Sequence, residues 1–273
     1  IYMKKYYFDE EKLKRFHKQD SCINLIDFLL VRFTVCGKTF YPWDGEIISW
    51  QRYLDTGSAK LVRKVRFKDE NGNITDFTFE RFASAADDHL YALRASAKGV
   101  NHDGVIKAVS GVDTAVRTNG QPKSTVTEKR VGVNGFAVCV SAGEKYGHSA
   151  AAGIKNIFYD RAGNRLDKSF CDDGELIYEC ASGTGSLTVE KIISIYSSRE
   201  SVDPLFDAFG ALAAFGDYVW AECKHLQSWN TLFSYFDVEI SGDGAADAGL
   251  RFANYHTVIS AARNDGAHSL SAK

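Results

Sequence analysis

The residues able to do chemistry in this chain gather in a few short polar runs. Asp87-Asp88-His89 joins two carboxylates to an imidazole, a set that could ligate a cation or move a proton. It opens an apolar segment, however, and at such a place it reads first as a solvated strand entry with a structural role. Asn101-His102-Asp103-Gly104 sets a His among residues that favour turns, and reads as a turn. Glu144, Tyr146 and His148 share a polar, glycine-flanked loop; loops can carry function, but this trio specifies no reaction. Gly183-Thr184-Gly185-Ser186 has the glycines of a phosphate loop but neither its Lys nor the helix that should follow, so it reads as a β-turn. His225 lies among apolar residues at helical spacing and His256 in the last helical run. Both read as packed or capping side chains.

The usual catalytic signatures are missing: there is no Gly-x-Ser-x-Gly elbow, His-Glu-x-x-His helix or kinase set. Carboxylates are plentiful enough to supply a glycosidase pair, but linear spacing does not set the separation such a pair needs. Cys22, Cys36, Cys139, Cys171, Cys180 and Cys223 form no Cys-x-x-Cys pair and have no His at finger spacing, so no metal site is expected. A chain of this length does not need disulfide staples, and free thiols in a reducing cytoplasm are the expectation. No cofactor is implied.

Composition narrows the partners. Of 273 residues, 45% are hydrophobic and 25% charged, enough for a large core and unlike a disordered chain. The formal net charge is -2, so there is no basic field to hold a nucleic-acid backbone. The densest basic run, Lys60 to Lys68, reads as a strand with one wet face. No apolar stretch approaches the ~20 residues that cross a bilayer, and Ile1 to Lys18 is charged and aromatic, unlike a signal peptide. A processed or excised cytoplasmic segment is expected.

The elements holding these residues are mostly strands. Val31, Phe33 and Val35 alternate with polar neighbours. Leu61, Val65 and Phe67 share a face that Arg63 interrupts; after the turn Asp69-Glu70-Asn71-Gly72-Asn73, Phe77 and Phe79 alternate again, making 61–82 a hairpin. The Asn73-Ile74-Thr75 sequon is read only as part of that turn. Further strands are expected over 89–97, 105–111, 131–141, 153–159, 174–180 and 186–196, with a turn at 117–122. Strands without intervening helices argue for an antiparallel sandwich. The character changes at Ser201-Val202-Asp203-Pro204, a helix start. Leu205, Phe209, Leu212, Ala213, Gly216, Val219, Trp220, Cys223 and Leu226 then trace one helix face, Trp229, Leu232, Phe233 and Phe236 a second run, and Leu250, Ala253, Thr257, Val258 and Ala261 a third, ending near Arg263. The expected division is a β-sandwich domain over 1–200 and a helical linker over 201–273.

Several segments occur in a familiar order. His225 to Phe233, Phe236 to Ile240, Gly242-Asp243, Leu250 to His256, Arg263-Asn264-Asp265 and Ser269 to Lys273 resemble the linker of glycoside hydrolase family 65, the maltose, kojibiose, nigerose and trehalose phosphorylase group. Trp50 to Asp55, Arg81 to Leu90 and Ser110 to Asp113 are similar to segments of that family's N-terminal domain. The resemblance implies a mainly β fold, an antiparallel β super-sandwich similar to galactose mutarotase, followed by a helical linker to an (α/α)6 barrel. In the family the barrel holds the sugar site, the phosphate site and the catalytic Glu. None of those positions lies in this sequence, so no catalytic, cofactor-binding or metal residue is carried over. The resemblance points instead to docking: Arg251, Tyr255, His256, Arg263 and Asp265 are expected to face the barrel of the same polypeptide. The parent enzyme's partners would be inorganic phosphate and an α-glucoside, with a homodimer as a further expectation, and no nucleic acid or membrane. Two alternatives stand beside this reading: a free-standing mutarotase-type epimerase with a His acid and a Glu base, and a carbohydrate-binding or assembly module.

Overall fold

The computed structural model describes residues 2–7, 17–118, 120–142 and 147–260. The chain first forms β1 (Tyr2–Tyr7) and β2 (His17–Cys22), a two-stranded ribbon. Next come β3 (Val31–Val35), β4 (Lys38–Thr39), β5 (Glu46–Asp55), β6 (Lys60–Lys68), β7 (Ile74–Ala83), β8 (Leu90–Gly99) and β9 (Val105–Asp113). β10 (Arg117–Thr118) and β11 (Gln121–Pro122) make a small ribbon, with Gly120 at φ 76° in the turn the sequence marks there. β12 (Thr125–Gly132), β13 (Gly135–Ala142), β14 (His148–Tyr159), β15 (Ser169–Asp172), β16 (Leu176–Thr184) and β17 (Ser186–Ser197) complete the β part. Three helices follow: α1 (Pro204–Ala214), α2 (Tyr218–Phe233) and α3 (Gly244–Ser260).

Two antiparallel sheets pack face to face. One has eight strands in the order β12-β13-β14-β17-β8-β7-β6-β5; the other has five, β15-β16-β9-β3-β4. The core between them centres on Phe33, Phe77, Phe158 and Ile106 at one end and on Phe136, Ile154 and Ile177 at the other. Each such side chain contributes about 1.5–3 kcal/mol on burial. Polar bridges also cross the layers. Ser110 Oγ donates to Asn156 Oδ1 (2.7 Å), and Asn156 Nδ2 donates to Glu179 Oε2 (3.0 Å), which also receives Lys168 Nζ (3.0 Å). Lys191, fully buried on β17, donates from Nζ to the carbonyls of Leu30 and Gly111.

The expected β-sandwich with C-terminal helices is what the chain forms. The 61–82 hairpin is β6–β7, paired from Leu61↔Arg81 to Lys68↔Ile74, with Gly72 at φ 83° in the turn. Two local expectations are corrected, and one turn gains a role. The strand expected over 131–141 is a hairpin: β12 and β13 close with Gly132 opposite Gly135, around Val133-Asn134. The turn read at Gly183–Ser186 is a corner between layers, since β16 lies in the five-stranded sheet and β17 in the eight-stranded one. Gly185, at φ 69°, makes that corner. Finally, the helical run from Leu205 to Leu226 is broken at Phe215-Gly216-Asp217, where Asp217 Oδ1 accepts Trp220 N–H (2.9 Å) and caps a new helix.

Candidate docking surface on the helical arm

The three helices run over the outer face and one end of the eight-stranded sheet. α1 begins at an N-cap, Asp203, whose Oδ1 accepts Phe206 N–H (2.9 Å), with Pro204 in the first turn. Its buried side chains Leu205 and Ala208 meet Ala137, Cys139 and Ala151. Small residues under the helix allow close approach: a Cβ on Gly153 would stand 2.4 Å from the Ala208 carbonyl oxygen. At the other end Lys155 Nζ donates to the Phe215 carbonyl (2.6 Å), placing a cation at the negative end of the helix.

α2 is fastened along its length. Its buried face is Tyr218, Ala221, His225, Trp229 and Phe233, not the expected face: Val219, Trp220 and Cys223 are exposed. Tyr218 sits beneath the Arg94 guanidinium, 4.1 Å from the ring centroid, and its N–H donates to Glu190 Oε2 (3.3 Å). Arg94 grips Glu190 Oε1 from both Nε (3.1 Å) and Nη2 (2.6 Å). Among the described residues no group pairs with the Tyr218 hydroxyl, and burial pushes its acidity far down. His225 accepts the Ala85 N–H at Nδ1 (3.0 Å), so Nε2 carries the proton and donates to the Ser58 carbonyl (2.8 Å). Its ring stacks on Phe82 at 4.4 Å. Trp229 Nε1 donates to the Thr56 carbonyl (2.9 Å), and Lys60 pairs with Glu222 (2.6 Å). The helix is thus tied to the β5–β6 and β7–β8 turns.

Beyond α2 the balance reverses. Residues 234–243 and α3 bury little of their apolar surface, and Val258 is the buried side chain of α3. Tyr235 (79% exposed), Phe236, Val238, Ile240, Phe252 (52% exposed) and Ile259 face outward. The backbone under this strip is nonetheless held: Arg251 pairs with Asp237 (2.7 Å) and Asp247 (3.0 Å), Asn254 Nδ2 donates to the Phe236 carbonyl (2.6 Å), and Asp247 Oδ1 accepts Ile240 N–H (3.0 Å). Large apolar side chains left uncovered above a hydrogen-bonded backbone make this strip a candidate docking surface.

Of the five expected docking residues, Arg251 is engaged in that internal network and Tyr255 packs against Trp229, ring centroids 5.5 Å apart. His256 is exposed beside Phe252. Arg263 and Asp265 lie outside the described residues. The strip follows no period; the available cue was four large apolar residues from Tyr235 to Ile240 with little to bury them.

The polar runs resolve into structure. Asp87 Oδ1 accepts His89 N–H (2.9 Å), His89 Nδ1 donates to the Ile195 carbonyl (2.8 Å), and its ring stacks on Tyr196 at 3.9 Å. His102 accepts Gly104 N–H at Nδ1 (3.2 Å) and donates from Nε2 to Thr75 Oγ1 (2.9 Å). Glu144 and Tyr146 lie outside the described residues. Among the described residues no three His, Cys, Asp or Glu side chains come together as a metal site, Cys36, Cys139, Cys171, Cys180 and Cys223 are free thiols, and no helix is long and apolar enough to cross a membrane.

An antiparallel two-sheet sandwich continued by a helical arm is the class of module that fold and surface define. The chain belongs to glycosyl hydrolase family 65: the family's N-terminal domain ("Glycosyl hydrolase family 65, N-terminal domain") matches residues 1–232. It is 46% identical, over all of its length, to 36% of a 3-O-alpha-D-glucosyl-L-rhamnose phosphorylase from Lachnoclostridium phytofermentans. Over 92% of its length it is 27% identical to 34% of a kojibiose phosphorylase from Halothermothrix orenii. A solved structure, "Putative kojibiose phosphorylase from human microbiome", shares the fold with a TM-score of 0.75 at 11% identity, covering 93% of this chain and 34% of that one. The chain therefore spans about a third of the length of these relatives.

Proposed function

We propose that this chain is the non-catalytic N-terminal domain of a phosphorylase acting on an α-glucoside, and that the helical arm after residue 200 seats it against a catalytic (α/α)6 barrel of the same polypeptide. The observation that carries the docking half is the apolar strip over 235–259, uncovered on an arm whose opposite face is fixed to the sandwich. The activity is supported by relatives named as phosphorylases that are about three times longer than this chain. In inverting phosphorolysis a phosphate oxygen attacks the anomeric carbon while one protein acid protonates the departing glycosidic oxygen. The products are a sugar 1-phosphate and the released sugar, and no second carboxylate is needed as base. The relative at 46% identity makes a glucosyl-rhamnose the first disaccharide to assay, ahead of kojibiose and trehalose.

Two measurements test this reading. The 273-residue chain, given phosphate and these disaccharides, is expected to release no sugar 1-phosphate; turnover by the chain alone refutes it. In the polypeptide extended through the barrel, Phe236→Ser with Phe252→Ser is expected to uncouple the unfolding of the two parts and lower activity. Substitution of Arg263 and Asp265 is expected to act in the same direction. Unchanged unfolding and activity in both variants count against docking through this surface.

A further inference from the structure

The eight-stranded sheet is wider than its five-stranded cover, and the inner face of its overhang carries three arginines. Arg63 on β6 stands directly opposite Arg52 on β5, and Arg81 on β7 pairs with Leu61, one diagonal step from Arg63. Directly opposed side chains have Cβ atoms about 4.5–5.5 Å apart and diagonal ones about 7–8 Å, so like charges placed this way repel. Together they line a hollow of ≈ 220 Å³ floored by Leu29, Val31 and Leu93, with no carboxylate in its wall. Arg63 is also fixed from one side, its guanidinium carbon lying 4.3 Å from the centroid of the Phe79 ring.

Four other arginines hold carboxylates: Arg66 pairs with Asp76, Arg94 with Glu190, Arg161 with Asp103 and Arg251 with Asp237. Among the described residues Arg52, Arg63 and Arg81 make no ion pair. Burial and the charges of Arg81 and Arg52 disfavour the cationic form of Arg63. The three side chains are exposed and line one hollow over an apolar floor, a concentration of positive charge that an anion would offset. A guanidinium offers a planar fork of donors, and a tetrahedral dianion presents enough oxygens for several forks at once.

We propose that this hollow binds a small oxyanion of the phosphate class, either free phosphate or the phosphate group of a monoester. Thermal unfolding of the 273-residue chain with inorganic phosphate, against sodium chloride of equal ionic strength, tests it. Phosphate at ten times its Kd should raise the midpoint by about 3–6 °C. Arg63→Gln and Arg81→Gln should each abolish the rise. Lys64→Gln, a neighbour on the opposite face of β6, should keep it. Without phosphate, Arg52→Gln should unfold at or above the wild-type midpoint, because it relieves the cross-strand repulsion. A parallel series with glucose 1-phosphate separates the two sources: a larger rise than with phosphate assigns the site to a monoester, an equal or smaller one to the free ion. The proposal is overturned by no phosphate-dependent rise, by an equal rise in Arg63→Gln, or by an equal rise with acetate.

Discussion

Replacing His225 with Ala should loosen the attachment of α2 by cutting two of its ties to the sandwich at once. The imidazole is 1% exposed and makes two backbone hydrogen bonds, accepting from Ala85 N–H and donating to the Ser58 carbonyl. Truncation leaves both groups unpaired, at about 1–3 kcal/mol each. It also removes a ring stacked on Phe82, leaving a void that adds about 1 kcal/mol or more. Because the helix can shift to readmit water, the lower end of that range applies, about 3–4 kcal/mol in all. For a domain of this size that lowers the midpoint by about 6–16 °C. Calorimetry would measure it, and proteolysis between α1 and α2 would show whether the helix lifts locally. The pH dependence has a definite sign. Burial holds the folded imidazole below its ordinary 6.5, so the unfolded chain binds the proton more tightly. The His225 contribution is present above about pH 6.5 and is lost as pH falls through the folded value, with a slope of at most about 1.4 kcal/mol per pH unit. Wild type should therefore lose stability below pH 6.5 more steeply than His225→Phe. A midpoint within 2 °C of wild type for His225→Ala, or identical acid limbs for wild type and His225→Phe, would refute this account of the anchor.

Lys191→Met should flatten the alkaline stability profile. The buried amine has its pKa lowered to about 7 from 10.5, so wild type gains stability as pH climbs from 7 to 10.5, and urea titration of the Met variant should lack that gain. Tyr218→Phe removes a buried hydroxyl that has no partner among the described residues and should raise the melting point by about 2–4 °C, read by calorimetry. Gly153→Ala would drive a methyl to 2.4 Å from both the Ala208 carbonyl and Ser194 Oγ, costing about 1–3 kcal/mol in chemical denaturation.

The sandwich was legible wherever alternation and turn chemistry agreed. The β6–β7 hairpin and the expected strand at 186–196 are close to what forms, because both alternate and end in glycine or polar turns. Alternation failed over 131–141 because Val133 keeps the apolar count high across a turn; Gly135, at φ 128°, was the available warning. The helix face was misplaced for a related reason. A period drawn through apolar residues ran across Gly216 and missed the cap at Asp217, and it treated His225 as a guest on a face that His225 in fact anchors. Strand order was out of reach, since β17 inserts between β14 and β8 through contacts distant in the chain. Arg63 was visible as an interruption of its strand face, but its relation to Arg52 and Arg81 exists only in the register.

The three ties along α2 have a mechanical meaning. A helix of sixteen residues is about 24 Å long, so a tilt of 5° at a single root would swing its tip by roughly 2 Å, a large error for two surfaces meant to mesh. Pinning at Tyr218, His225 and Trp229 turns that lever into a bracket. Whatever seats on the far end inherits its orientation from the sheet, so a lost tie would appear first as misalignment and only later as unfolding.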